Sequence, residues 1–119
     1  MSLKDNKEVM LRKIQENPYN FYVASDRLKN DRDIVLEAVK QKGETLNGAS
    51  NELRSDPEIV LVAIKQNKDA QLHIGVKLKE KIGEHDPIKY LETELHRQQL
   101  DRELAPKTEQ KQTKQVSKI

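Results

Sequence analysis

The sequence predicts an all-α protein: three tandem two-helix repeats of 25 residues and a C-terminal capping helix, together a short solenoid-like bundle. Three observations predict it. The stretches Asn6–Asn30, Asp31–Ser55 and Asp56–Glu80 align without a gap, so one structural unit is written three times. Within each unit apolar residues recur at helical spacing, and the second and third units open on an aspartate, a good helix N-cap. After Gly83 the repeat register breaks, and Asp86-Pro87 restarts a helix by the same N-cap and first-turn logic.

In the first unit a helix carrying Val9, Met10, Leu11 and Ile14 is expected to stop near Asn17-Pro18, because proline disfavours helix in the residue before it. In the second, Ile34, Val35, Leu36, Ala38 and Val39 cover an arc wider than one amphipathic stripe, so this helix packs on two sides. Its end is expected near Lys42-Gly43, with the glycine supplying a left-handed cap. Asp33 and Glu58 place negative charge at helix N-termini, and Lys40 and Lys65 place positive charge at the opposite ends. A second helix of about ten residues, too short to stand alone, is predicted after each turn from Leu46, Ala49 and Leu53 at i, i+3 and i+7, matched by Phe21, Ala24 and Leu28. Ala24-Ser25 and Ala49-Ser50 read as close helix approaches. The third unit has Gln71 at the Leu46 position and Ile74-Gly75 for Ala49-Ser50, so its second helix should pack differently and run on towards Gly83. Ile88, Leu91 and Leu95 give the cap helix (86–104) a packing stripe; Thr93, Arg97, Leu100 and Leu104 form a weaker second one, with Tyr90 at its edge. Residues 1–104 thus form one domain, and 105–119 has no apolar period and is expected to be a disordered polar tail.

Composition narrows the function. The chain of 119 residues carries a formal charge of +2, yet the tail from Ala105 onward holds four lysines against Glu109 alone, which leaves the body near balance. A nucleic-acid binder would carry basic charge on its folded surface, so no nucleic-acid partner is expected. The absence of cysteine excludes disulfides, thiolate zinc sites and a cysteine nucleophile. No apolar run approaches the roughly 20 residues that cross a bilayer, and the N-terminus lacks a signal-peptide core, so no membrane partner is expected either.

Enzyme motifs are missing: the chain has no glycine-rich phosphate loop, no GxSxG and no HExxH. His73, His85 and His96 are spaced like no local metal motif, and no carboxylate pair shares an apolar setting. The expectation is a non-enzyme without cofactor or metal. The more suggestive cluster is Tyr19, Phe21 and Tyr22, three of the four aromatic residues. Phe21 is core by repeat position, while Tyr19 and Tyr22 match Glu44 and Asn47 and are either a cover for the open end of the first repeat or rigid binding anchors. Val9, Met10, Leu11 and Ile14, with no helix before them, suggest an apolar end that invites a partner or self-association. The expected protein-binding residues are Met10, Tyr19, Tyr22, Tyr90, Arg97 and Leu100.

The strings ASDRLKNDRDIVL, DRDIVLEAVKQKG and ASNELRSDPEIVLVAIKQN resemble a tandem helical repeat of unknown activity found in Legionella effector proteins and some protists. The likeness is strong over 24–67, weaker over 6–23 and lost after Lys79. It implies a helical scaffold and no reaction. A stand-alone three-repeat chain of this size is similar to a small member that inhibits the paired ubiquitin-modifying effectors MavC and MvcA. That similarity implies an inhibitor that docks on a ubiquitin-modifying effector enzyme. It also implies residence in the bacterial cytoplasm, with translocation into the host cytosol by a type IV secretion system if the tail carries a secretion signal. The alternatives are a homodimeric, self-associating scaffold and, below that, a nucleic-acid-binding array.

Overall fold

The computed structural model describes residues 3–104, so the polar tail at 105–119 and any signal within it lie outside the described residues. The protein is an all-α helical bundle. Four long helices, α1 (Lys7–Glu16), α3 (Arg32–Gln41), α4 (Pro57–Gln66) and α6 (Pro87–Glu103), lie side by side in chain order and form one layer. A second layer is built from the 3-10 segments Pro18–Val23, Gly43–Gly48 and Lys68–His73. Each segment leads into a short turn of helix: α2 (Asp26–Lys29), the 3-10 turn Leu53–Ser55, and α5 (Val76–Ile82). The smallest dimension, 21 Å, is two helical layers deep.

The long helices begin where the sequence places them. Asp31 Oδ1 accepts from the amides of Asp33 and Ile34, Asp56 Oδ1 from Glu58 and Ile59, and Asp86 Oδ1 from Ile88 and Lys89. Asn6 caps α1 through Val9. The Asp56 carboxylate also takes the guanidinium of Arg32 from the repeat before it, at 3.0 Å. Replacing Asp56 with alanine therefore removes a cap and a cross-repeat pair, and should cost about 1–2 kcal/mol in a urea titration followed by circular dichroism; an unchanged midpoint would contradict this double role.

The expected second helix of about ten residues is corrected: it is two pieces. Ala24-Ser25 and Ala49 are extended, and helix restarts beyond them, with the Ser25 hydroxyl accepting from the Leu28 amide and the Ser50 hydroxyl from the Leu53 amide. The reason lies in the backbone. The Ser25 amide donates to the carbonyl of Lys4, Ser50 to Lys29 and Gly75 to Arg54, each bond reaching one repeat back. A continuous helix would spend those amides internally. The serine hydroxyls reinforce the same contact, Ser25 donating to Asp5 at 2.7 Å and Ser50 to Asn30 at 2.6 Å.

Charge follows the same step. Lys7 pairs with Asp31 and Asp33 of the next repeat, and Arg32 with Asp56 and Glu58. Proline at position 57 has no cation to continue the series. The hydrogen bond from Lys7 holds Asp33, and those from Ser25 and Arg27 hold Asp5, below the usual carboxylate range. Because these folded-state values are depressed, the stability they contribute is complete above the unfolded carboxylate pKa and is lost as pH falls through the folded value. Urea midpoints should therefore drop on acidification below about pH 4, and Asp5→Asn should flatten that drop; an unaltered acid limb would count against it.

The core runs through every junction. Ile14, Phe21, Leu28, Ile34, Val35, Leu46, Ile59, Val60 and Leu91 are fully buried. The array starts before its first full unit, for Leu3, Lys4 and Asp5 form a 3-10 turn and align with Leu28, Lys29 and Asn30. At the other end the series closes on itself. The carbonyl of Lys79, which by repeat position would receive the next unit, instead accepts the amide of Gly83, whose φ of 58° favours glycine. The expected left-handed cap at Gly43 is corrected, since among the described glycines Gly83 alone has positive φ. Gly43 is small for another reason: a Cβ there would lie 2.2 Å from the Ala63 carbonyl oxygen of the next repeat.

Candidate protein-binding surfaces

The two ends of the array carry the side chains that the repeat leaves without neighbours. At the N-terminal end Tyr19 is 43% exposed and stacks on Tyr22, with ring centroids 6.3 Å apart. Tyr22 is partly buried, and its ring covers Gly48 of the second repeat. Its hydroxyl donates to the Glu44 carbonyl at 3.4 Å, and burial, then the nearby Glu44 charge, push its pKa above the usual phenol value. Tyr22 thus closes the first junction, and Tyr19 is the tyrosine with a face to offer.

Met10 is core rather than part of an open apolar end. It is 3% exposed and belongs to the core together with Ile14, while Leu11 packs against that core. The uncovered apolar end expected from the sequence is in fact closed by its own unit and by the Leu3–Asp5 turn, which packs on α1. What stays open is a shallow recess lined by Lys4, Val9, Met10, Lys13, Asn20 and Val23, with Val23 56% exposed.

At the C-terminal end Tyr90 is partly buried, stacks on His85 at 6.0 Å and packs against the core. Arg97 is exposed but bonded along its own helix to Glu94 and Asp101, which raises its pKa, mainly through Glu94. Leu100 and Leu104 are open to solvent, on the last turns of α6. Lys65 near the end of α4 pairs with Glu92 in the first half of α6, whereas Glu58 at the start of α4 shares a recess with Leu95, Gln99, Arg102 and Glu103. The two helices therefore run in broadly opposite directions, and α6 covers α4 without continuing the 3-10 layer. Leu72, which holds the position of Tyr22, is left 75% exposed for that reason.

The expected binding residues consequently fall on two separate surfaces: Tyr19 and Tyr22 on one, Tyr90, Arg97 and Leu100 on the other. Sequence reasoning missed Val23, Leu72 and Val76, although the 25-residue alignment set Val23 opposite Gly48 and so marked it as a departure. Among the described residues, no three His, Asp or Glu side chains come together in a way that could hold a metal ion. No helix among them is long and apolar enough to cross a membrane.

Stacked short units with a shared core define a helical-repeat protein. Two overlapping stretches, residues 6–52 and 32–79, match a family model described as a domain of unknown function (DUF4116). Together they span more than half of the sequence, and the chain belongs to that family. The two matches start one repeat apart, so the family's unit spans a pair of neighbouring repeats and the junction between them. No curated protein and no solved structure matches the chain.

Proposed function

We propose that this protein is a non-catalytic protein-binding module, in its most concrete form an inhibitor. It docks on a bacterial effector enzyme of the ubiquitin deamidase or transglutaminase type and blocks access of the substrate. The observation that carries the binding role is the placement of exposed apolar side chains: Tyr19 and Val23 at one end of the array, Leu72 and Leu100 at the other, around an interior saturated by its own packing. Such residues stand ready as anchors, and occlusion needs shape and an anchor rather than a reactive group. The choice of partner rests on the resemblance to repeats of Legionella effectors, as does translocation into a host cell.

The test is a rate measurement. With MavC or MvcA acting on its ubiquitin substrate, saturating amounts of this protein should suppress turnover; an unchanged rate at saturation removes the inhibitor reading.

A second reading has its own observation. Leu100 and Leu104 are 41% and 78% exposed on the last turns of α6, a feature that suits pairing of two copies. Light scattering after size exclusion decides it, since a monomer at high concentration excludes self-association as the purpose of that helix.

A further inference from the structure

Among the described residues, the recess at the N-terminal end displays the front face of a repeat unit, and the first internal junction shows what such a face accepts. By repeat position its lining residues Val9, Lys13, Asn20 and Val23 correspond to Ile34, Ala38, Thr45 and Gly48 in the second unit. Ile34, Ala38 and Thr45 are fully buried there, and Gly48 lies beneath the rings of Phe21 and Tyr22 from the unit before. At the first junction, then, this surface receives aromatic side chains, where the second junction has Leu46 and Asn47 in their positions.

At the N-terminal end the same surface is altered in a way that rejects another full repeat. In the third unit the Ala63 position is where the preceding backbone comes closest, at Gly43. The equivalent residue in the first unit is Lys13, and since its counterpart Ala38 is fully buried in the first junction, packing another repeat there would bury a charge. Asn20 takes the place of Thr45, and its amide donates to the Lys13 carbonyl at 2.8 Å. Stacking in register is blocked, while the apolar floor of Met10, Val9 and Val23 is kept. The volume of about 190 Å³ is below the 300–1,000 Å³ of small-molecule sites and suits one or two side chains. Its charged lining residues, Lys4 and Lys13, are both cationic.

We infer that this recess is a docking socket for a partner protein segment that presents an aromatic side chain beside a carboxylate. The aromatic ring fills the space that Phe21 and Tyr22 fill at the next junction, and the carboxylate meets the ammonium group of Lys13. The inference rests on the protein-binding reading and assigns it to one face.

The experiment needs no effector enzyme, so its failure is separable from failure of the inhibitor reading. A phage-displayed library of random dodecapeptides is selected on the full-length protein, and enriched peptides are measured against wild type, Val23→Glu and Lys13→Glu. Both residues are exposed, and circular dichroism with a thermal melt checks that the variants keep the fold. Enriched peptides should pair an aromatic residue with Asp or Glu, and each variant should weaken them by at least about tenfold, as for an interface anchor. Lys13→Met, which keeps the apolar stem, should retain aromatic peptides and lose the preference for acid. Absence of enrichment, or peptides that bind wild type and both glutamate variants equally, would overturn the inference. So would conversion of a dimer to a monomer by Val23→Glu, because a second copy would then be the occupant.

Discussion

Phe21→Ala should lower the stability of the whole domain by about 3–5 kcal/mol, the range for removing a buried phenylalanine. Phe21 is fully buried and stands at the first junction, where a Cβ on Gly48 would be 3.2 Å from its ring. The lost ring leaves a cavity shared by two units, since Phe21 belongs to the first and Gly48 to the second. In a repeat array each unit is held mainly by its neighbours, so weakening one junction weakens both units it joins. Against a total of about 5–15 kcal/mol for a domain, the loss should bring the urea midpoint down by about a fifth or more. A midpoint within a few tenths of a kcal/mol of wild type would show that the junction is not what holds the units together.

Gly43→Ala should be the most costly single-carbon addition, at about 1–3 kcal/mol or more. The new methyl group would sit 2.2 Å from the Ala63 carbonyl oxygen and 3.2 Å from the Asn67 amide, and both are backbone atoms of the next unit. A side chain could swing away; a helix C-terminus can do so only by opening the junction. The melting temperature should fall by about 4–8 °C for each kcal/mol lost. The positions one repeat away, Pro18 and Lys68, carry side chains, so the constraint is local to the junction of the second and third units. A variant that melts with wild type would contradict that approach.

The long helices were legible because their signals are side chains. Asp31, Asp56 and Asp86 cap them, Pro57 and Pro87 open them, and the apolar spacing of Ile34 to Val39 is what the two-sided burial of α3 requires. The break in the second half of each unit was less legible, since its cause is a backbone bond between residues 21 apart in sequence, from Ser25 to Lys4, Ser50 to Lys29 and Gly75 to Arg54. A signal existed in Ser25-Asp26 and Ser50-Asn51, which have the form of a helix start, but the spacing of Leu46, Ala49 and Leu53 imitates one continuous helix.

The candidate surfaces were half legible. Tyr19 could be read as exposed from its match to Glu44, yet Tyr22, matched to Asn47, is drawn in over Gly48 because the first junction needs a cover there. Met10 was expected at an open end and is core, because the covering element is its own unit together with the Leu3–Asp5 turn, whose likeness to Leu28-Lys29-Asn30 is only three residues long. Lys13 and Asn20 gain meaning only when set against Ala38 and Thr45 in three dimensions, where both counterparts are sealed inside a junction.

The central claim is that this array works by holding a protein. Isothermal titration of the purified full-length chain into MavC or MvcA tests it most directly. The account predicts saturable binding at fixed stoichiometry, with the bound enzyme unable to turn over ubiquitin and this protein recovered chemically unchanged. No heat of binding at micromolar concentrations, together with an undiminished enzymatic rate, would contradict it.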